Sequence, residues 1–200
     1  MGKTYDRAYF ERWYRRPASR LEAPAELRRR VTMAVAIAER YLGRAVRSAL
    51  DVGCGEGRWR AELRRLRPRL LYVGVEPSDY AVERFGRRRG IVRADFGDLA
   101  QLDLGGPFDL VVCADVLHYL DDEELDRGLP ALVAATGGAA YLEVLTAAEE
   151  VEGDTRGMIL RAPEGYEARF ARAGLTGVGG HVWLAPALAE LPAALERRTS

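Results

Sequence analysis

Two hundred residues suffice for one compact domain and are few for two. Hydrophobic residues make up 48% and charged residues 30%, an ordinary globular balance, and no run of 18 apolar residues is present to span a membrane. Net charge is zero, yet residues 1–70 hold 18 Lys and Arg against 8 Asp and Glu, while residues 71–200 hold 12 against 22. A basic third suits nucleic-acid phosphates, but Arg28-Arg29-Arg30 and Arg64-Arg65 read more simply as solvated helix faces, which disfavours nucleic acid as a partner. The opening residues Met1 to Arg7 lack the apolar stretch of an export signal, so the expected location is the cytoplasm. Cys54 and Cys113 match no metal-ligand spacing; thiols are expected and a metal is not.

In chain order, Tyr5 to Arg16 is aromatic, with Tyr5, Tyr9 and Trp13 four apart on one helical face. A second helix is predicted from Pro24 to Gly43, burying Leu27, Val31, Ala34, Val35, Ala38 and Leu42. From there strand and helix alternate. Ser48–Gly53 is a buried strand, Arg58–Leu66 a helix stopped before Pro68, and Leu70–Val75 a strand. Ser78 caps a helix reaching about Arg88, and Ile91–Ala94 is a third strand. Phe108–Ala114 is the strongest strand, and Asp121 with Glu124 is spaced like a capping box for the next helix. Ala139–Leu145 is a fifth strand, followed by an acidic connection from Ala147 to Ala162 and a helix over Pro163–Ala173 closed by Gly174. The tail Leu175–Ala185 is β-like but interrupted by Gly177, Gly179 and Gly180, and Pro186–Arg197 is an amphipathic stretch. This alternation predicts an α/β fold: a doubly wound, mostly parallel Rossmann-like sheet with helices on both faces. It is one domain, with residues 1–45 as a helical lid or cap and residues 46–200 as the core. Right-handed crossovers then gather the strands' carboxyl ends, where ligands bind, on one edge.

The segment Asp51-Val52-Gly53-Cys54-Gly55-Glu56-Gly57 falls at the first strand-to-helix turn, where glycines let a ligand approach the backbone. Asp51 precedes them, placed to meet an ammonium group. Glu76, 23 residues beyond Gly53, ends the next strand, where a carboxylate accepts two hydrogen bonds from a ribose diol. A dinucleotide fingerprint requires glycine where this chain has Arg58, and an acid ahead of the turn repels a pyrophosphate. The pattern suits a nucleoside bearing an amino acid.

The stretch from about Ser48 to Leu145 resembles the class I S-adenosylmethionine-dependent methyltransferases. The Asp51–Gly57 segment looks like their methionine-side motif, with Asp51, Gly53, Cys54 and Gly55 as cofactor residues. Glu76 matches their ribose acid, and Pro77 follows where the adenine edge is flanked. Asp95 matches their third-strand acid toward the adenine amino group, and Phe96 the residue packing on the ring. Phe108 to Leu120 resembles their fourth-strand motif and adds Ala114 to the cofactor set. The resemblance implies S-adenosyl-L-methionine as cofactor and methyl transfer to a small-molecule acceptor. An RNA or protein methyltransferase, or a cofactor-binding module without turnover, is the alternative. The family closes its sheet with an antiparallel strand, for which this short glycine-rich tail is a poor match.

His118, just past the fourth strand, is the first candidate general base, although many relatives carry a histidine there without catalytic duty. Asp115 and Tyr119 are candidates for orienting the acceptor. His181 reads as a packing or surface residue. The absence of an Asn/Asp-Pro-Pro-aromatic turn, where Ala114-Asp115-Val116-Leu117 stands, argues against methylation of amino nitrogens on bases. The N-terminal aromatics staple the first helix or close over the cofactor. Glu149, Glu150, Glu152 and Asp154 either solvate a loop or present a negative field to a cationic acceptor.

Overall fold

The computed structural model describes residues 5–15, 23–151 and 153–197. Helix α1 (Arg7–Phe10) starts at Asp6, whose carboxylate accepts the Tyr9 N–H at 2.9 Å, and runs on into a π-helical turn at Glu11–Arg15. Tyr5 therefore precedes the helix, Arg16 lies outside the described residues, and the single helical face expected over Tyr5, Tyr9 and Trp13 is not formed. Helix α2 (Pro24–Leu42) has proline in its first turn and ends at Gly43 in the left-handed conformation.

Strands β1 (Ser48–Val52), β2 (Leu71–Glu76), β3 (Ile91–Arg93), β4 (Phe108–Ala114) and β5 (Thr136–Glu143) run parallel. They alternate with α3 (Arg58–Leu66), α4 (Asp79–Arg89) and α5 (Asp122–Ala134). After α6 (Pro163–Arg172) the chain adds β6 (Thr176–Gly177) and β7 (Val182–Leu184), giving the order β3-β2-β1-β4-β5-β7-β6. Strand β4 lies centrally and, apart from Asp109 near its start, is apolar on both faces. Period-two alternation splits the core. Leu50, Val111 and Leu142 pack with Leu125, Leu129 and Phe170 on one face, while Leu110, Val112 and Tyr141 pack with Val31, Trp59 and Leu63 on the other.

Three boundaries depart from the sequence reading. Strand β5 begins at Thr136 rather than Ala139, because Gly137 and Gly138 belong to the strand. A Cβ on Gly138 would stand 2.3 Å from the Asp109 carbonyl oxygen, so glycine is what lets β4 and β5 come together there. The antiparallel closing strand is present: β7 pairs with β5 through Ala139–Leu184, Ala140–Trp183 and Tyr141–Val182. Of the tail glycines, Gly177 belongs to β6 and pairs with Trp183, while Gly179 and Gly180, with His181, turn the β6–β7 hairpin at positive φ. The stretch over Pro186–Arg197 holds only a 3₁₀ turn at Pro186–Leu188, and Leu191 and Leu195 face solvent.

Strand order reverses between β1 and β4, whose carboxyl ends therefore diverge into a crevice.

Candidate functional site

The β1–α3 turn is built for close approach. Gly53, Gly55 and Gly57 have φ of 69°, 55° and 73°, a region costly for side-chain-bearing residues, and the Gly53 and Cys54 N–H groups are tied to the Val75 carbonyl. Glu76, at the end of β2, is buried and braces this turn. One carboxylate oxygen accepts the Gly55 N–H at 2.7 Å and the other the Ser78 N–H at 3.1 Å. Burial pushes its carboxyl up to about 6, against the pull of those two bonds. Asp51 is equally buried and accepts the Tyr72 hydroxyl at 2.7 Å. Burial pushes it up to about 7; the Tyr72 bond opposes the shift and the Glu76 charge adds to it.

Both carboxylates open into a cleft of about 850 Å3 at the crevice between β1 and β4, and the expected cofactor residues, with Asp115, His118 and Tyr119, lie on its wall. Gly53, Cys54 and Gly55 form one side, with the Cys54 thiol buried and pushed up by that burial. Pro77 and Asp95 form the β2–β3 side, and Asp95 pairs with Arg93 at 3.5 Å. Phe96 also reaches the wall, but its ring packs closely on Gly128 of α5, where a Cβ would be 2.3 Å away. Ala114 and Asp115 line the β4 end, where Asp115 has φ 59°.

His118 is buried with Nδ1 accepting the Leu145 N–H at 3.2 Å, while its carbonyl accepts the Ile159 N–H at 2.7 Å. That bond commits the Nδ1 lone pair to the backbone of the β5–α6 connection. Tyr119 donates its hydroxyl to the Asp154 carbonyl at 2.6 Å. These two residues fasten the connection between β5 and α6 to the cleft. Within that connection Asp154 is buried on the cleft wall and hydrogen-bonded to Tyr9. Glu149 turns back onto Thr146, Glu150 is exposed, and Glu152 lies outside the described residues.

The N-terminal segment lies across the opening. The Ser78 hydroxyl donates to the Tyr5 carbonyl, and Phe10 is buried between Tyr14 and Tyr80, with ring centroids at 4.8 and 5.5 Å. A Cβ on Gly55 would stand 2.4 Å from the Tyr14 hydroxyl, so this tyrosine rests on the glycine turn itself.

One cluster escaped the sequence reading. Arg30 of α2 pairs with Glu143 at the end of β5 and, at 3.6 Å, with Asp115. The Tyr141 hydroxyl donates to the same Glu143 oxygen at 2.9 Å. Arg30 read as part of a solvated run, and Glu143 fell inside an expected strand. An acid within Ala139-Ala140-Tyr141-Leu142-Glu143-Val144-Leu145 was the available signal. The rest of the basic third is largely paired: Arg28 and Arg65 with Glu62, and Arg29 with Glu26.

Residues 50–137 match a family model described as a methyltransferase domain. That stretch, under half of the chain, is similar to a methyltransferase domain. The chain is 38% identical over 101 residues to the dTDP-4-amino-2,3,4,6-tetradeoxy-D-glucose N,N-dimethyltransferase of Saccharopolyspora spinosa. That match covers 48% of this chain and only 39% of the relative. An amino pentose methyltransferase from Micromonospora echinaspora, solved with S-adenosylmethionine bound, superimposes with a TM-score of 0.64 at 18% identity, over 92% of this chain and 99% of that one. A sugar N-methyltransferase from Streptoalloteichus sp. gives 0.61 at 22% identity, over 88% and 85%. At these identities the two structures speak for the methyltransferase fold, including its antiparallel closing strand. No helix among the described residues is long and apolar enough to cross a membrane.

Proposed function

We propose that this chain transfers a methyl group from S-adenosylmethionine to a small-molecule acceptor. The observation that carries the reading is the pair of buried carboxylates, Asp51 and Glu76, on either side of a left-handed glycine turn that side chains would fill. The donor set fits the cofactor. Glu76 uses one lone pair on each oxygen for the backbone and keeps others for a ribose diol, and Asp51 offers a negative charge to an amino-acid ammonium. Pro77 and Asp95 would flank the adenine. The cofactor supplies an activated methyl group; the protein holds the acceptor in line with it and keeps water out. We assign the water-excluding role to the N-terminal segment as a lid. The similarity to amino-sugar methyltransferases supports a small acceptor, with amino-sugar nucleotides the first class to test.

The full chain is to be incubated with methyl-labelled S-adenosylmethionine and a metabolite panel including dTDP-4-amino-2,3,4,6-tetradeoxy-D-glucose, with products read by mass spectrometry. A labelled small-molecule product is expected. Tighter binding of a nicotinamide dinucleotide than of S-adenosylhomocysteine would overturn the assignment.

Binding is expected to depend on pH through Asp51. With its carboxyl up at about 7, the free protein is increasingly protonated below neutrality, and an ammonium-bearing ligand must displace that proton. The Kd of S-adenosylhomocysteine should therefore be flat above pH 7 and rise about tenfold per pH unit just below it. Glu76, at about 6, steepens the fall further down. Calorimetry from pH 5 to 8 measures this, and the Asp51→Asn variant should lose the upper break.

A further inference from the structure

Glu143 of the cleft is held by two donors at a single oxygen. Its Oε2 receives both Arg30 Nη1 and the Tyr141 hydroxyl, while Oε1 accepts no hydrogen bond among the described residues. The side chain is largely buried, ends β5 opposite Ala114 in the β4–β5 register, and lines the cleft. It is therefore on the same sheet edge as the cofactor residues but two strands away from Asp51 and three from Glu76. Asp115 is beside it, and its backbone N–H donates to the Glu143 carbonyl at 3.0 Å. Arg30 lies between the two carboxylates, pairing with both. His118 is bound at Nδ1, and the Tyr119 hydroxyl is donated to Asp154.

Resting on the methyl-transfer reading above, we propose that Glu143 is the catalytic proton acceptor for an amine acceptor, with Arg30 and Tyr141 as positioning residues that aim Oε1 at it. The acceptor nitrogen's lone pair forms the new bond to the methyl carbon. The methyl carbon–sulfur bond breaks, with its electron pair staying on sulfur, and one N–H proton passes to Oε1 of Glu143 and then to water. A carboxylate oxygen left open to accept suits an N–H donor that gains positive charge as it is methylated, and the pinned oxygen fixes the direction of transfer.

The test compares the wild type with Glu143→Gln, which keeps an oxygen for Arg30 and Tyr141 but cannot accept the proton. Acceptors are offered as matched pairs of amine and alcohol on one scaffold, beginning with dTDP-4-amino-2,3,4,6-tetradeoxy-D-glucose and its 4-hydroxy counterpart. Methylation of amines only is expected, with kcat in Glu143→Gln falling about a hundredfold or more. S-adenosylhomocysteine affinity should stay within about twofold of wild type, since Glu143 belongs to the acceptor end. Tyr141→Phe, which removes one of the two donors on the pinned oxygen, should lower kcat by a smaller factor with KM nearly unchanged. Transfer to alcohols, transfer to neither member of any pair, or a Glu143→Gln kcat within threefold of wild type would overturn the proposal. Failure of the wild type to bind S-adenosylhomocysteine would instead sink the methyl-transfer reading on which it rests.

Discussion

Glu76→Ala is expected to weaken S-adenosylhomocysteine binding by about 3 kcal/mol or more, over a hundredfold in Kd. Two losses combine. A ligand diol would lose a charged acceptor for its two hydroxyls, each such bond being worth about 1.5–3 kcal/mol. The Gly55 and Ser78 N–H groups would lose the acceptor that braces the glycine turn against β2. Glu76→Gln separates these effects, because an amide retains one oxygen for the backbone but carries no charge. Calorimetry on both variants should rank affinity as wild type, Gln, then Ala. Equal affinity in all three would place the ribose elsewhere.

Gly53→Val is expected to damage the fold as well as the site. At φ 69° a β-branched residue is strained by about 1–3 kcal/mol. The new Cβ would also stand 2.3 Å from a methyl of Val116, adding an overpacking cost of about 1–3 kcal/mol. Against a total stability of about 5–15 kcal/mol, these costs should lower Tm by roughly 5–20 °C and abolish binding in whatever remains folded. Differential scanning calorimetry reads the first effect and ligand titration the second. A Tm within about 2 °C of wild type would mean that the turn relaxes freely.

The fold was legible wherever chemistry is local. Phe108–Ala114 carries its burial in an apolar run interrupted only by Asp109; Ser78 and Asp121 cap their helices as their residue types suggest; and the glycine turn with Glu76 announces itself by order and spacing. What escaped depends on contacts distant in sequence. The fifth strand reads as starting at Ala139 until Gly137 and Gly138 are seen pressed against β4, and the tail glycines look like breaks until β7 is seen paired with β5. The same holds within the site. Arg30 and Glu143 are 113 residues apart, and Asp154 meets Tyr9 and Tyr119 from a loop whose sequence reads as solvated. His118 shows the converse case: its place at the strand end suggested a base, while its Nδ1 bond to Leu145 gives it a bracing part.

The two buried carboxylates also bear on how firmly the ligand-free chain stays folded. An acid whose folded pKa lies above its ordinary value favours the fold most when protonated. Its folding contribution therefore worsens as pH rises from the unfolded value to the folded one and is constant beyond. For Asp51 that window runs from 3.8 to about 7, and for Glu76 from 4.5 to about 6. At about 1.4 kcal/mol per unit, the pair together burden the fold by on the order of 6 kcal/mol at neutral pH, a large share of what a domain this size possesses. The ligand-free chain should thus melt at a lower temperature at pH 8 than at pH 5.5. A cation placed against Asp51 and hydroxyls placed against Glu76 relieve that burden, so the stabilisation conferred by the ligand should grow with pH over the same range. The same charges that recognise the ligand leave the empty protein weakest at the pH where the ligand binds best.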